Sequence, residues 1–222
     1  MSNDGDNALQ PRLLSEEPIP HLVSRAQRGS LPCFAELVKR FEGRLFNFLV
    51  RRTRSTHDAE DLVQDAFVRA WQRIDQYDPR WQFSTWLFTI AHRLAITNGR
   101  HRQREVGWSD GREVPTVDRD DPGRAVADRE LCGLIWETAE RILTESQKTV
   151  LWLRYAEELS NRDIARVLGR SQISVRVTLF RAREALATHE QLDRSRRRRD
   201  TVACDTKQTA GLKETLAGDL AC

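Results

Sequence analysis

Six arginines fall between residues 162 and 183 (Arg162, Arg166, Arg170, Arg176, Arg181 and Arg183) against the single acid Asp163. Six minus one leaves a formal charge of +5 over these 22 residues. Guanidinium groups at this density suit phosphate oxygens, to which each can donate two hydrogen bonds at once. Within the same stretch Ala165, Gly169 and Val175 stand four and six residues apart. A small residue lets two helices cross closely, a glycine supplies the left-handed turn, and a branched apolar residue packs the second helix on the first. That is the spacing of a helix-turn-helix, whose second helix enters the major groove of DNA. A plain helical hairpin with a solvated basic face would share the charge; its concentration on one hairpin favours the DNA reader.

A second contrast lies upstream. Residues 57–78 carry Asp58, Glu60, Asp61, Asp65, Asp75 and Asp78 against Arg69 and Arg73, whereas residues 84–104 carry Arg93, Arg100, Arg102 and Arg104 and no acid. An acidic helix beside a basic one points to two partners, a basic protein surface and a nucleic acid. Charge alone fits equally well with two solvated faces attracting each other. Trp81, between Arg80 and Gln82 in a loop, is suited to stack on an unpaired base. Trp71, Trp86 and Phe88 are expected in the core.

These groups need helices to hold them. Phe34, Leu37, Val38, Phe41, Leu45, Phe48 and Leu49 recur at steps of three and four, the apolar stripe of one long helix. After Arg54-Ser55-Thr56, whose hydroxyls can cap a helix, the stripe resumes as Ala59, Leu62, Val63, Ala66, Phe67, Ala70, Trp71 and Ile74. Tyr77-Asp78-Pro79 ends that helix. A third, capped at Ser84 or Thr85, buries Trp86, Leu87, Ile90, Ala91, Leu94 and Ala95. Helical periodicity returns at Leu131, Leu134, Ile135, Ala139 and Ile142, followed by a capping box at Thr144-Glu145-Ser146-Gln147. Ser160 caps a short helix to Leu168, with Asp163 in its first turn. Ser171 caps the last helix, whose inward stripe is Val175, Leu179, Ala182 and Leu186.

No strand alternation occurs, so the fold class expected is all-α: two small helical domains joined by a flexible linker, the second a helix-turn-helix domain. The expected bounds are a disordered leader over 1–20, where Pro11, Pro18 and Pro20 interrupt any helix; a first domain over 21–104; a linker over 105–127, rich in Gly, Pro and acids; a second domain over 128–190; and a basic run and tail over 191–222.

Composition narrows the function classes. The 222 residues are 39% hydrophobic and 31% charged, with a mean hydropathy of -0.61. No apolar run approaches the roughly 20 residues a membrane helix needs, and no signal segment opens the chain, so a cytoplasmic protein without a membrane partner is expected. Cys33, Cys132, Cys204 and Cys222 are scattered and read as free thiols. Cys204, Cys222 and His189 are too loosely spaced for a metal site. No metal, no cofactor and no enzymatic activity are expected, since the acids of residues 58–65 have no neighbouring His or Cys pattern apart from His57. In the tail, Arg194 and Arg196–Arg199 either extend a DNA contact or are simply solvated. Leu212, Leu216 and Leu220 fit one short amphipathic helix.

Three blocks carry a family resemblance: Asp58-Ala-Glu-Asp-Leu-Val-Gln-Asp-Ala-Phe-Val-Arg-Ala-Trp71, Phe83-Ser-Thr-Trp-Leu-Phe-Thr-Ile-Ala91, and Val175-Arg-Val-Thr-Leu-Phe-Arg-Ala-Arg183. In type and order they resemble the extracytoplasmic-function (ECF) sigma factors of bacterial RNA polymerase, over about residues 21–104 and 128–188. The resemblance implies that Asp58, Glu60, Asp61, Gln64 and Asp65 dock on the clamp coiled coil of the polymerase's largest subunit. It implies that the helix Thr85–Arg104 melts and reads the minus-ten element, with Arg93, Asn98, Arg100, Arg102 and Arg104 as contacts beside Trp81. The minus-thirty-five element would fall to Arg170, Ser171, Gln172, Ser174, Arg176, Phe180 and Arg181. Arg93 stands where the family commonly has Asn, and Thr178 where it commonly has Arg, so the promoter sequence cannot be borrowed from relatives.

The partners implied are core RNA polymerase and promoter DNA, with the free chain a monomer; whether an anti-sigma factor binds it is left open by the sequence. The alternative is a stand-alone helix-turn-helix regulator with a sensing N-terminal domain, which would bind paired half-sites as a dimer. No dimerisation helix is apparent.

Overall fold

The computed structural model describes residues 14–105 and 136–191. The expectations for the leader before Leu14, the linker, the stripe at Leu131 to Ile135, the arginine run and the tail with Cys204 and Cys222 lie outside the described residues. The described residues are helical and contain no strand, as the all-α reading requires. In chain order they form α1 (Ile19–Gln27), α2 (Leu31–Thr53), α3 (Thr56–Gln72), a 3-10 turn (Ile74–Gln76) and α4 (Phe83–Glu105). After these come α5 (136–142), α6 (Glu145–Tyr155), α7 (Asn161–Leu168) and α8 (172–191).

By compactness the described residues form two units, one of residues 14–105 with 149–176 and one of residues 136–148 with 177–191. These limits do not coincide with the domain bounds read from the sequence.

In the first unit α2 is the central helix. Phe34, Phe41 and Phe48 lie seven residues apart on its buried stripe. Phe34 meets Phe67 of α3 edge-on at 6.5 Å between centroids, Phe41 meets Phe83 of α4 at 5.4 Å, and Phe48 meets Phe88 of α4 at 5.2 Å. Edge-to-face pairs of this kind add a directional preference to the area they bury. Trp71 leans on Phe34 at 4.9 Å and is half-buried, while Phe88 is fully enclosed.

Helix ends follow local chemistry. α1 begins inside the segment read as leader. Pro18 is its N-cap and Pro20 sits in its first turn, where a missing N–H has no intrahelical acceptor to lose. α2 closes on Arg54 in the left-handed region (φ +53°), its N–H bound to Val50 O at 2.9 Å. Ser55 then caps α3 by accepting from Asp58 N at 3.3 Å. That helix stops at Gln72, short of the expected Tyr77 break, and the 3-10 turn spans the gap. α4 starts earlier than expected: Trp86 N bonds Gln82 O at 3.3 Å, which puts Ser84 and Thr85 inside its first turn instead of ahead of it. Phe83 explains the shift. It is anchored among Phe41, Tyr77 and Trp86, with centroids 5.4 to 5.8 Å away.

α7 packs on α4 in the same unit. Ser160 Oγ accepts from Asp163 N at 3.2 Å, Gly169 turns the chain at φ +62°, and Ser171 Oγ accepts from Ser174 N at 3.2 Å. Ile164, Ala165, Val167 and Val175 are buried around that turn. In the second unit Thr144 N donates to Gln147 Oε1 at 2.9 Å and Gln147 N donates back to Thr144 Oγ1 at 3.4 Å, the reciprocal box expected. Lys148 Nζ reaches Glu140 at 2.7 Å and Glu145 at 3.0 Å.

Because Phe41 is 1% exposed at the centre of the first unit, Phe41→Ala is expected to lower the unfolding free energy by about 3–5 kcal/mol. Leu31→Ala, on a side chain 62% exposed, is expected to change it by less than about 0.5 kcal/mol. Urea denaturation followed by circular dichroism measures both; equal costs would contradict this core.

Candidate nucleic-acid interface

The loop between the 3-10 turn and α4 is held at both ends. Tyr77 Oη donates to Trp81 O, and Arg80 binds the Asp78 carboxylate through Nη2 at 2.6 Å and Nε at 2.9 Å. Those bonds, with Arg80 N at 3.0 Å, hold the Asp78 carboxyl below its ordinary range. Trp81 is thereby presented on a fixed loop. Its ring is half-buried under α7: the Arg166 guanidinium lies 3.4 Å from the ring centroid and that of Arg162 4.6 Å. Cations at this range are attracted to the indole face.

Along α4, Arg93 and Arg100 are exposed and Asn98 is half-buried. The side chains of Arg102 and Arg104 lie outside the described residues. His92, on the same helix, is buried. Burial, then the charges of Arg52, Arg170 and Arg93, push its imidazole down to about 4, so it is neutral at pH 7.

On α3, Glu60, Asp61, Gln64 and Asp65 are exposed, and Asp61 pairs loosely with His57 at 3.9 Å. Asp58 differs from them. It is half-buried in the first turn, where a carboxylate stabilises the helix N-terminus. Val68, 53% exposed, continues the Asp61–Asp65 face by one turn.

On α8 the buried residues are Val175, Leu179 and Ala182. Gln172, Arg176, Phe180 and Arg181 are exposed, as are Arg170 and Ser171 before the helix, while Ser174 is half-buried against its cap. Two exposed apolar residues were not singled out from sequence: Ile173 at 72% and Val177 at 42%. With Phe180 at 64% they make an i, i+4, i+7 row. The buried stripe contained the signal, since its register turns 173, 177 and 180 outward. Apolar groups among arginines suit the methyl of thymine in the major groove.

A further cluster has no local sequence signal. Glu157, its side chain 2% exposed, is bound by Arg44 Nη2 at 2.7 Å and Nε at 3.0 Å, 113 residues away in the chain. Burial pushes its carboxyl up; Arg44 and the Trp152 indole hold it back. Arg52 Nη1 donates to Thr149 Oγ1 at 2.8 Å, and the Arg51 guanidinium sits 4.5 Å from the Trp152 ring centroid.

The outward groups are thus guanidinium, amide, hydroxyl, carboxylate and aromatic: hydrogen-bonding and stacking chemistry. Among the described residues no three His, Cys, Asp or Glu side chains form a group that would hold a metal, and no helix is long and apolar enough to cross a membrane.

The Sigma-70 region 2 family matches residues 37–105, and the Sigma-70 region 4 family matches residues 138–186. The chain is 31% identical over 180 residues to the ECF RNA polymerase sigma factor SigW of Bacillus subtilis, covering 77% of this chain and 96% of that protein. It is 31% identical over 183 residues to the RNA polymerase sigma-H factor of Pseudomonas aeruginosa, covering 78% and 94%. Among solved structures, CnrH in complex with the cytosolic domain of CnrY matches with a TM-score of 0.56 at 26% identity, over 78% of this chain and 97% of that one. The sigma factor RpoE in complex with the anti-sigma factor NepR from Bartonella quintana matches with a TM-score of 0.56 at 25% identity, over 72% and 98%.

His92 yields a pH prediction. The unfolded chain takes up its proton near pH 6.5 and the folded chain only near 4, so its contribution to stability is present above about pH 6.5 and lost as pH falls toward 4. Between pH 7 and pH 5 the wild-type unfolding free energy should fall by about 2 kcal/mol more than that of His92→Gln. Equal pH slopes in urea titrations would contradict the assignment.

Proposed function

The chain belongs to the ECF family of RNA polymerase sigma factors, and on that premise we propose how its surfaces divide the task. It directs core RNA polymerase to promoters. Residues 21–104 form the domain that holds core enzyme and the minus-ten element, residues 128–190 the domain that holds the minus-thirty-five element, and residues 105–127 the linker between them. Asp61, with Glu60, Gln64 and Asp65, docks on a basic surface of the polymerase. Asp58 shapes the start of the same helix. Arg93, Asn98, Arg100, Arg102 and Arg104 line the minus-ten strand, and Trp81 receives a base that has left the stack. Arg170, Ser171, Gln172, Ser174, Arg176, Phe180 and Arg181 read the upstream element: phosphate contacts set register, and contacts to base edges specify sequence.

The observation that carries this reading is the outward turn of three chemically different helix faces: acidic on α3, basic on α4, and mixed arginine and apolar on α8. Bond-making is left to the polymerase; this protein contributes readout and strand opening as a cytoplasmic monomer that needs no metal or cofactor. Because CnrH and RpoE of Bartonella quintana were solved with a bound CnrY domain and a bound anti-sigma factor, a regulator of that class is inferred for this chain.

Purified protein added to core polymerase should start transcription at discrete promoters; absence of core binding would refute the reading. Asp61→Arg is expected to abolish core binding while leaving the circular dichroism spectrum unchanged, and retained binding would remove α3 from the interface. Arg176→Ala and Arg181→Ala are each expected to weaken upstream-element recognition by about 1–3 kcal/mol where the contact is to a base. Where it is to a phosphate, each should lower the salt slope by about one. Unchanged affinity and slope in both variants would contradict the orientation of α8.

A further inference from the structure

Among the described residues six large apolar side chains are exposed, and three of them, Ile173, Val177 and Phe180, lie on α8. Within one continuous helix the register follows from the chain itself. At about 100° per residue, counted from Ile173, Val177 stands at about +40° and Phe180 at about −20°, whereas the buried Val175, Leu179 and Ala182 stand between about 180° and 240°. The row thus points directly away from the core. Its flanks are cationic: Arg176 at about −60° and Arg183 at about −80° on one side, Arg181 at about +80° on the other. No acid occurs between Asp163 and Glu184, and Glu184, next in the register of the row, ends it.

A helix that packs on protein presents an apolar stripe at least about 100° wide. This row spans only about 60°, and the guanidiniums beside it suit a polyanion that offers isolated apolar groups. The C5-methyl of thymine is such a group, projecting into the major groove between two phosphate strands. Ile173 and Val177 are β-branched and nearly fixed at χ1 in a helix, so they present their methyls with little rotamer freedom left to lose. From Ile173 to Phe180 α8 rises about 10 Å, the length of about three base-pair steps. We propose that Ile173 and Val177, with Phe180, are specificity residues that read the C5-methyl groups of thymines within about three consecutive base pairs of the minus-thirty-five element. This methyl reading rests on the placement of α8 in the major groove at that element.

The test uses holoenzyme assembled from core polymerase and the full chain. Its probe is a fluorescein-labelled duplex of a promoter at which that holoenzyme starts transcription, prepared with thymine or with deoxyuridine throughout the minus-thirty-five element. Deoxyuridine pairs as thymine does and lacks only the methyl. Wild-type holoenzyme should bind the deoxyuridine duplex about fourfold more weakly for each methyl contacted. Ile173→Ser/Val177→Ser should lose most of that preference while keeping the wild-type circular dichroism spectrum and core binding. Equal wild-type affinity for the two duplexes, or an element without thymine, would overturn the proposal, and that arm decides even where the double variant does not fold. An undiminished preference in a folded double variant would overturn it as well. Arg176→Ala/Arg181→Ala separates the methyl reading from the placement of α8, since it should weaken both duplexes equally. If it does so while wild type binds the two duplexes alike, α8 stays on the DNA and the methyl reading falls; if it affects neither duplex, both fall. Loss of core binding in the double variant, with no methyl preference in wild type, would make the row a protein-docking surface instead.

Discussion

Three edge-to-face contacts from α2, made by Phe34, Phe41 and Phe48, set the rotation of the helices that pack on it. A helix turns about 100° per residue, so fixing one buried ring fixes the direction of every other side chain on that helix. With Phe67 turned inward, Asp61, Gln64 and Asp65 of α3 face out. With Phe83, Leu87 and Phe88 turned inward, Arg93 and Arg100 of α4 face out. The aromatic core is therefore what keeps an acidic surface and a basic surface on neighbouring helices from being spent on each other. The same logic governs α8, where Val175, Leu179 and Ala182 point in and Arg176, Phe180 and Arg181 point out.

Arginine chemistry runs through all of these surfaces. A guanidinium on a flexible stem can lie on an indole, grip a carboxylate or bind a phosphate, and these uses are mutually exclusive at any moment. Arg166 over Trp81 and Arg44 on Glu157 are two such choices. Interactions between exposed cations and aromatic faces are modest, and a polyanion can displace them. A buried ion pair behaves differently, since either partner left alone is destabilised.

Much of this was legible in the chain. The apolar stripe of α3 names every buried residue of that helix, while those of α2 and α4 miss Cys33, Phe46, Val50, Phe83 and His92 and include Val38, Trp86 and Ile90, which are only half-buried. The hydroxyl caps at Ser55, Ser160 and Ser171, the box at Thr144 and Gln147, and the left-handed Gly169 stand where local chemistry puts them. Local rules misplaced the helix starts whose position depends on more than one neighbour. Pro18 and Pro20 read as breakers, yet at the N-cap and in the first turn they remove no intrahelical hydrogen bond. Ser84 and Thr85 read as caps, but Phe83 is drawn into the aromatic cluster and moves the start ahead of them. Nothing local could reveal the Arg44–Glu157 pair, because its members are 113 residues apart and each alone looks like an ordinary surface charge. Ile173 and Val177 were overlooked for the opposite reason: apolar residues in a helix suggest a core until the register of the buried stripe is applied to them.

The central claim is that Trp81 and the outward row of α8 meet separate stretches of one promoter when the protein sits on polymerase. Its most direct test is site-specific photocrosslinking in an open promoter complex, with a photoreactive phenylalanine analogue in place of Trp81 in one protein and of Phe180 in another. The account predicts a crosslink from position 81 to an unpaired base near minus ten and one from position 180 to duplex near minus thirty-five. Crosslinks from both positions to the same element, or from position 81 to duplex alone, would contradict it.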